Sequence, residues 1–167
     1  MKLVVIRHGP AGDRAEWEAE GRDDRLRPLT ADGKKQMRKA VAGLATLVKP
    51  IHVLATSPLT RAMQSAEIVA SEYGLNPVEV KALEPGRDPE ETVQWLKEGR
   101  PDQTVAIVGH EPHLSTLIGF LLTGKRASFV LLKKSGVALL DLSNPPRPGG
   151  GVLESLPPPR VLRRLAQ

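Results

Sequence analysis

Three short stretches of this sequence hold side chains that could act together on a phosphoryl group: Arg7-His8-Gly9, Ser57-Pro58-Leu59-Thr60-Arg61 and Gly109-His110-Glu111-Pro112. The guanidinium groups of Arg7 and Arg61 are forked donors that match two phosphate oxygens at once. A neutral imidazole at His8 has a nitrogen lone pair able to attack phosphorus, giving a covalent phosphohistidine that water later cleaves. Positive charge from the two arginines lowers the basicity of a nearby imidazole and keeps that lone pair free at neutral pH. Gly9 allows the backbone to pass close to an anion, and a helix starting near Pro58 would offer backbone donors. His110 completes the set as a donor to the equatorial oxygens, where charge develops. Each stretch alone carries little weight; their combination carries more, provided that the fold brings them together.

The surrounding pattern meets that condition. Short runs rich in Val and Ile alternate with amphipathic stretches, the signature of an α/β domain with a mostly parallel sheet. In such sheets ligands bind at the carboxyl edge of the strands, where all three stretches would emerge. Residues 3–7 read as a buried central strand, 51–55 as the second and 78–80 as a short third; 104–108 and 136–142 read as two more. Thr30 is an N-cap, followed by Met37, Val41, Leu44 and Val48 on one helical face. A helix opened by Pro58 carries Met63, Ala66, Val69 and Ala70 and stops at Gly74. Asp88-Pro89-Glu90-Glu91 has the cap, proline and acid of a helix start and predicts a helix reaching Gly99; Pro112 opens another that ends near Gly124. Residues 13–28, dense in Arg, Asp and Glu, read as a disordered polar segment. The Pro- and Gly-rich residues 144–151 cannot continue a strand, and they lead to an edge strand at 152–156. The expected architecture is a three-layer αβα domain over residues 1–157, with 158–167 as a C-terminal tail.

Composition narrows the function classes. The 167 residues are 40% hydrophobic, enough for one core. No apolar run has the length of a membrane span, and the opening Met1-Lys2-Leu3-Val4-Val5-Ile6-Arg7 lacks the length and cleavage site of a signal peptide. There is no cysteine, which excludes a disulfide scaffold or thiolate zinc site; a cytoplasmic location is expected. A net charge of +5 and a pI near 9.7 favour anionic partners. The pairs Lys34-Lys35 and Lys133-Lys134 and the terminal Arg160, Arg163 and Arg164 read as solvated basic faces. With only 3% aromatics, a stacking platform for nucleic acid is poorly supplied. His110 and His113 stand three apart with Pro112 between them, which is not the spacing of a zinc-binding helix. No metal or cofactor is expected, and His52 and His113 read as structural.

On these residues the sequence resembles the histidine phosphatase superfamily, also called phosphoglycerate mutase-like or RHG, and within it the small phosphohistidine phosphatase branch of SixA type. The matching stretches are residues 2–9, Arg27-Pro28-Leu29-Thr30-Ala31-Asp32-Gly33, residues 57–66 and Val108-Gly109-His110-Glu111-Pro112. The resemblance implies a phosphoglycerate mutase-like fold and a metal-independent phosphatase. It implies His8 as nucleophile, Arg7 and Arg61 as phosphoryl ligands, and His110 completing the pocket. Larger members of the family insert a helical cap that carries an acidic proton donor. Here the stretch between Arg61 and His110 is spent on a helix, a strand and a second helix, so no cap subdomain is expected. An open site suits a phosphoryl group displayed on a protein. The candidate proton donors are Asp24 and Glu84, each also readable as an ordinary surface carboxylate. A phosphohistidine substrate relaxes the need for such an acid, because a protonated imidazole leaves as a neutral group. The expected function is therefore hydrolysis of phosphohistidine on a signalling protein. The alternatives are a phosphomonoesterase acting on a small metabolite or nucleotide and, from another class, a non-catalytic phosphate- or nucleic-acid-binding module. Simple anion capture would need the arginines but not both His8 and His110.

Overall fold

In the computed structural model, which describes residues 1–166, the first strand, β1 (Lys2–Arg7), is buried on both faces. Its side chains alternate: Leu3 and Val5 enter one apolar cluster, and Val4 and Ile6 enter the other. A continuous apolar strand of this kind needs helices over both faces of its sheet. The chain supplies them in the order α1 (Arg14–Ala19), α2 (Ala31–Leu47), β2 (Val53–Thr56), α3 (Thr60–Tyr73), β3 (Val78–Glu79), α4 (Pro89–Leu96), β4 (Thr104–Gly109), α5 (His113–Thr123), β5 (Val137–Leu142), β6 (Gly151–Ser155) and α6 (Pro159–Leu165). The six strands form one sheet in the order β3-β2-β4-β1-β5-β6. The first four in that order run parallel, while β5 and β6 are antiparallel to their neighbours.

Two apolar layers sandwich the sheet. On one face Met37, Val41 and Leu44 of α2, Ala66 and Val69 of α3 and Leu162 of α6 meet Val4, Ile6, Ala106 and Val108. On the other, Val93 and Leu96 of α4 and Leu114, Leu117 and Leu121 of α5 meet Leu3, Val5, Val105 and Ile107. This is the three-layer phosphoglycerate mutase-like architecture. Register then aligns the strand ends that matter: Arg7 pairs with Gly109, and Ile6 and Thr56 both pair with Val108. The carboxyl ends of β1, β2 and β4 are therefore level, and the three chemistry-bearing stretches leave the sheet side by side. Among the described residues no helix is long and apolar enough to cross a membrane.

Local signals account for most boundaries. Thr30 Oγ1 accepts from Gly33 N at 2.9 Å and starts α2, Asp88 caps α4, and Gly74 and Gly124 end α3 and α5 in the left-handed region at φ 67° and 76°. The helix expected from Pro58 begins instead at Thr60, and α4 stops at Leu96 rather than Gly99.

Two expectations need correction. Residues 13–28, read as disordered, form α1 and a 3-10 turn at Asp24–Leu26. Neither buries a residue, so no apolar periodicity announced them. They are held by polar contacts: Asp13 Oδ1 accepts from Glu16 N, Asp23 Oδ1 accepts from Arg25 N, and Trp17 Nε1 donates to the Asp23 carbonyl, each at 2.9 Å. The segment read as a tail, 158–167, contains α6, while its last residue, Gln167, lies outside the described residues. Leu162 of α6 is fully buried, and its carbonyl would stand 1.8 Å from a Cβ placed on Gly43 of α2. Only glycine permits that approach.

Candidate active site

Burial, more than charge, determines the state of the His8 ring at the end of β1. The side chain is 6% exposed, and desolvation together with the charges of Arg61, Arg7 and Lys134 brings its pKa down to about 3. From sequence the arginines alone account for this effect; they contribute, but desolvation is the larger cause. The ring nitrogens are distinguished by their partners. Nδ1 lies 2.7 Å from the carbonyl of Gly9, which can only accept, so Nδ1 carries the proton and Nε2 the lone pair. The backbone around the ring is pinned on both sides. His8 N donates to the Gly109 carbonyl, and the His8 carbonyl accepts from Ser135 N.

His110, at the end of β4, faces the same space. Its ring centroid is 5.1 Å from that of His8, with the planes tilted by 56°. Burial, with the neighbouring positive charge of Arg61, also pushes its pKa far below the ordinary histidine value. Nε2 lies 2.8 Å from Ser57 Oγ, and Ser57 Oγ in turn accepts from Leu59 N at 3.4 Å. Among the described residues His110 Nε2 is the one acceptor within reach of the buried Ser57 hydroxyl, so the hydroxyl proton is assigned to Nε2 and the imidazole proton of His110 to Nδ1. That N–H is buried and has no protein partner.

The guanidinium groups come from β1 and from the first turn of α3. Arg7 donates through one terminal nitrogen to the Leu132 carbonyl at 2.9 Å. Arg61 donates to the Asp24 carbonyl at 2.9 Å and to Asp24 Oδ2 at 3.2 Å. In both, Nε is buried without a protein partner. Three buried N–H donors, on Arg7, Arg61 and His110, thus await an acceptor, and all three residues line one cleft of about 660 Å3 with His8. Buried donors are costly to leave unpaired, so a site of this kind is built for an anion.

The sequence candidates fall into place unequally. Arg7, His8, Arg61 and His110 share the cleft, and Asp24 joins them. Asp24 is clamped, however. Burial works to raise its pKa, but the hydrogen bond from Arg27 Nε at 2.8 Å and the charges of Arg61, Arg27 and Arg14 outweigh it, leaving the carboxyl below its ordinary value. An ionised carboxylate bracing two arginines is poorly suited to give up a proton. Glu84 points elsewhere and pairs with Arg25 at 2.8 Å. Gly9 also has a different task from the one expected: its N–H donates to Ser65 Oγ at 3.1 Å, so it is not free for an anion. Its lack of a side chain serves the close approach of α2 instead, since a Cβ would stand 3.1 Å from the Gly33 carbonyl. His113 is buried outside the cleft with Nδ1 3.2 Å from the Arg87 carbonyl, and its Nε2 has no protein partner.

Several contributors had not been singled out. Ser57 orients His110. Ser65, one helical turn after Arg61, ties the His8 loop to α3 by donating to the Arg61 carbonyl at 2.8 Å while accepting from Gly9 N. Arg27, Arg14, Glu111 and Lys134 line the cleft. Ser57, Glu111 and Arg27 stood inside the matching stretches and could have been noticed there. Lys134 comes from the loop before β5; as half of the pair Lys133-Lys134 it reads from sequence only as part of a solvated basic face, and the fold brings it to the cleft.

Comparison with known proteins agrees with this arrangement. The sequence profile of the histidine phosphatase superfamily (branch 1) matches residues 3–84, which include Arg7, His8, Arg27 and Arg61. The chain belongs to the histidine phosphatase superfamily. It is accordingly an enzyme, a hydrolase acting on phosphate. A relative in Picosynechococcus sp., itself uncharacterised, is 34% identical over 140 residues, 82% of each chain. Among solved structures, the protein histidine phosphatase SixA complexed with tungstate superimposes with a TM-score of 0.82 at 24% identity, over 97% of this chain and 99% of that one. A phosphoserine phosphatase from Entamoeba histolytica, in complex with 3-phosphoglyceric acid, gives 0.69 at 19% identity, over 96% and 98%. At such identities the likeness is one of fold, and phosphatases named for different substrates share it.

Proposed function

We propose that this histidine phosphatase removes a phosphoryl group from phosphohistidine on a protein, through a covalent phospho-His8 intermediate. The observation that carries the reading is the pair of neutral imidazoles, one with a free Nε2 lone pair and the other with a free Nδ1–H, set between two buried guanidinium groups. His8 Nε2 attacks phosphorus while the P–N bond to the substrate imidazole breaks. The leaving ring, protonated on its other nitrogen, departs neutral. Arg7, Arg61 and His110 Nδ1–H take the charge on the equatorial oxygens, so the groups that stabilise the transition state are all side chains and no metal is needed for that task. Water then cleaves the P–N bond of phospho-His8 and releases inorganic phosphate.

The N–P substrate is favoured over an ester by the state of Asp24. A carboxylate held ionised between Arg27 and Arg61 gives little help to a departing alkoxide, which needs a proton, and a neutral imidazole needs none. The same fold also serves a phosphoserine phosphatase, so the comparison must be made directly.

The test is trapping. Enzyme mixed with 32P-labelled phosphohistidine protein and denatured in alkaline detergent retains an alkali-stable, acid-labile adduct, which His8→Ala lacks together with about 10^4-fold of turnover. Wild-type protein that binds phosphate but yields neither adduct nor turnover would show that the reading is wrong. A panel of phosphomonoesters alongside the phosphohistidine protein decides the substrate class, and equal or faster ester turnover would reject the N–P assignment.

A further inference from the structure

A second concavity of about 760 Å3 opens beside the catalytic cleft, and Arg7 and Lys134 line both. Its walls come from the loop before β5, with Leu131, Lys133 and Lys134, and from the C-terminal segment, with Leu156, Arg160 and Arg163. Two features set it apart. It is basic without compensation: no carboxylate lines it, and Lys133, Lys134, Arg160 and Arg163 form no ion pair among the described residues. It is also apolar in part. Leu131 is 72% exposed at the rim, and three consecutive prolines, Pro157 to Pro159, help to form a wall that is pre-shaped because proline has little freedom to lose.

We infer that this groove docks an acidic segment of the phosphorylated protein, with its carboxylates against Lys133, Arg160 and Arg163 and an apolar side chain against Leu131 and the proline wall. The inference rests on the reading that the phosphoryl group is borne by a protein. Continuity with the cleft supplies the geometry: a polypeptide whose phosphorylated residue sits at His8 can run over Arg7 and Lys134 into the groove without leaving the surface. Charge complementarity supplies the sign. The apolar rim and the low aromatic content favour polypeptide over nucleic acid, which would want stacking partners rather than leucine and proline. Specificity would then reside in sequence flanking the phosphoryl group, while the cleft reads the phosphoryl group alone.

The experiment uses the whole chain and a triple charge reversal, Lys133→Glu with Arg160→Glu and Arg163→Glu, all outside the phosphoryl-binding set. Turnover is measured on free phosphohistidine and on phosphohistidine peptides flanked by Asp, Glu and Leu or by Lys and Ser. Wild type is expected to favour the acidic peptide through KM by about tenfold, a preference the triple variant loses or inverts while keeping its rate on free phosphohistidine. Leu131→Ser weakens the same peptide several-fold without altering the free amino acid. Equal KM values for the two peptides in wild type, or an acidic preference that survives charge reversal, overturn the inference. Fluorescence anisotropy with the unphosphorylated peptides separates the groove from the chemistry. If phosphohistidine is not turned over but the acidic peptide still binds wild type and not the triple variant, the catalytic reading has failed and the docking groove stands. A single-stranded oligonucleotide of equal charge that binds tighter than the peptide rejects the polypeptide assignment.

Discussion

A carboxylate wedged between guanidinium groups resists protonation, because each cation favours the charged form and each hydrogen bond is to that form. Asp24 is in this position, with Arg27 at 2.8 Å and Arg61 at 3.2 Å. Its contribution is to hold both terminal nitrogens of Arg61 at the cleft wall, leaving Nε without a protein partner. Asp24→Asn should therefore raise KM about tenfold, since the fork of Arg61 loosens, while kcat on a phosphohistidine substrate changes by no more than about threefold. Steady-state kinetics on ester and N–P substrates decide the point. A fall in kcat of a hundredfold or more, confined to esters, would mean that Asp24 is the proton donor after all. His8 and Arg7 illustrate the opposite case. Neighbours in the fold make their roles more definite, by selecting the ring tautomer of His8 and by tethering Arg7 through a single terminal nitrogen.

Close helix contacts through glycine help to position these side chains. Gly33 lets the start of α2 lie against the loop after His8, where a Cβ would meet the Pro10 carbonyl at 1.9 Å, and Gly43 does the same for α6. Substituting Gly43→Leu should prevent α6 from seating and expose Leu162, at a cost of about 2–3 kcal/mol. The urea midpoint reports this, and an unchanged midpoint would show that α6 adds nothing to the core. The same variant displaces Arg160 and Arg163, so it should also weaken acidic peptides at the groove. Helix α1 and the turn at Asp24–Leu26 lie at the other extreme. They bury nothing, hold together by caps and ion pairs, and nonetheless wall the cleft.

For the molecule as a whole, His8 and His110 buried in the neutral form tie stability to pH, and burial lowers the pKa of His113 in the same direction. His8 and His110 have pKa values lowered in the folded chain, whereas in the unfolded chain they titrate near 6.5. Below about pH 6.5 the unfolded state takes up protons that the folded state refuses, so stability is full above that pH and declines as pH falls. Between pH 7 and pH 5 the loss should be about 1–2 kcal/mol for each histidine. Denaturant midpoints of wild type and of a His8→Gln, His110→Gln double variant, taken across this window, separate the effect from the carboxylates. If the two lines run parallel, the histidines are not buried neutral. Phosphate, bound only by the folded state, should raise the wild-type midpoint with the logarithm of its concentration once that exceeds Kd.

Much of this was written locally in the chain. The alternation and apolar runs of residues 3–7 and 104–108 specify buried parallel strands, and a parallel sheet sends its carboxyl ends to one edge, which groups Arg7, His8, Arg61 and His110 on sequence alone. Caps at Thr30 and Asp88 and stops at Gly74 and Gly124 were legible for the same reason: their physics involves only neighbouring residues. What depended on contacts between distant segments was not legible. The desolvation that outweighs arginine at His8, the Ser57 hydroxyl that orients His110 and the clamping of Asp24 by Arg61 arise from groups tens of residues apart. So does the joining of Lys134 and Arg160 into one basic groove. Local sequence sets what a segment can do, but burial and the partners of a polar atom exist only once the sheet has brought its edges together.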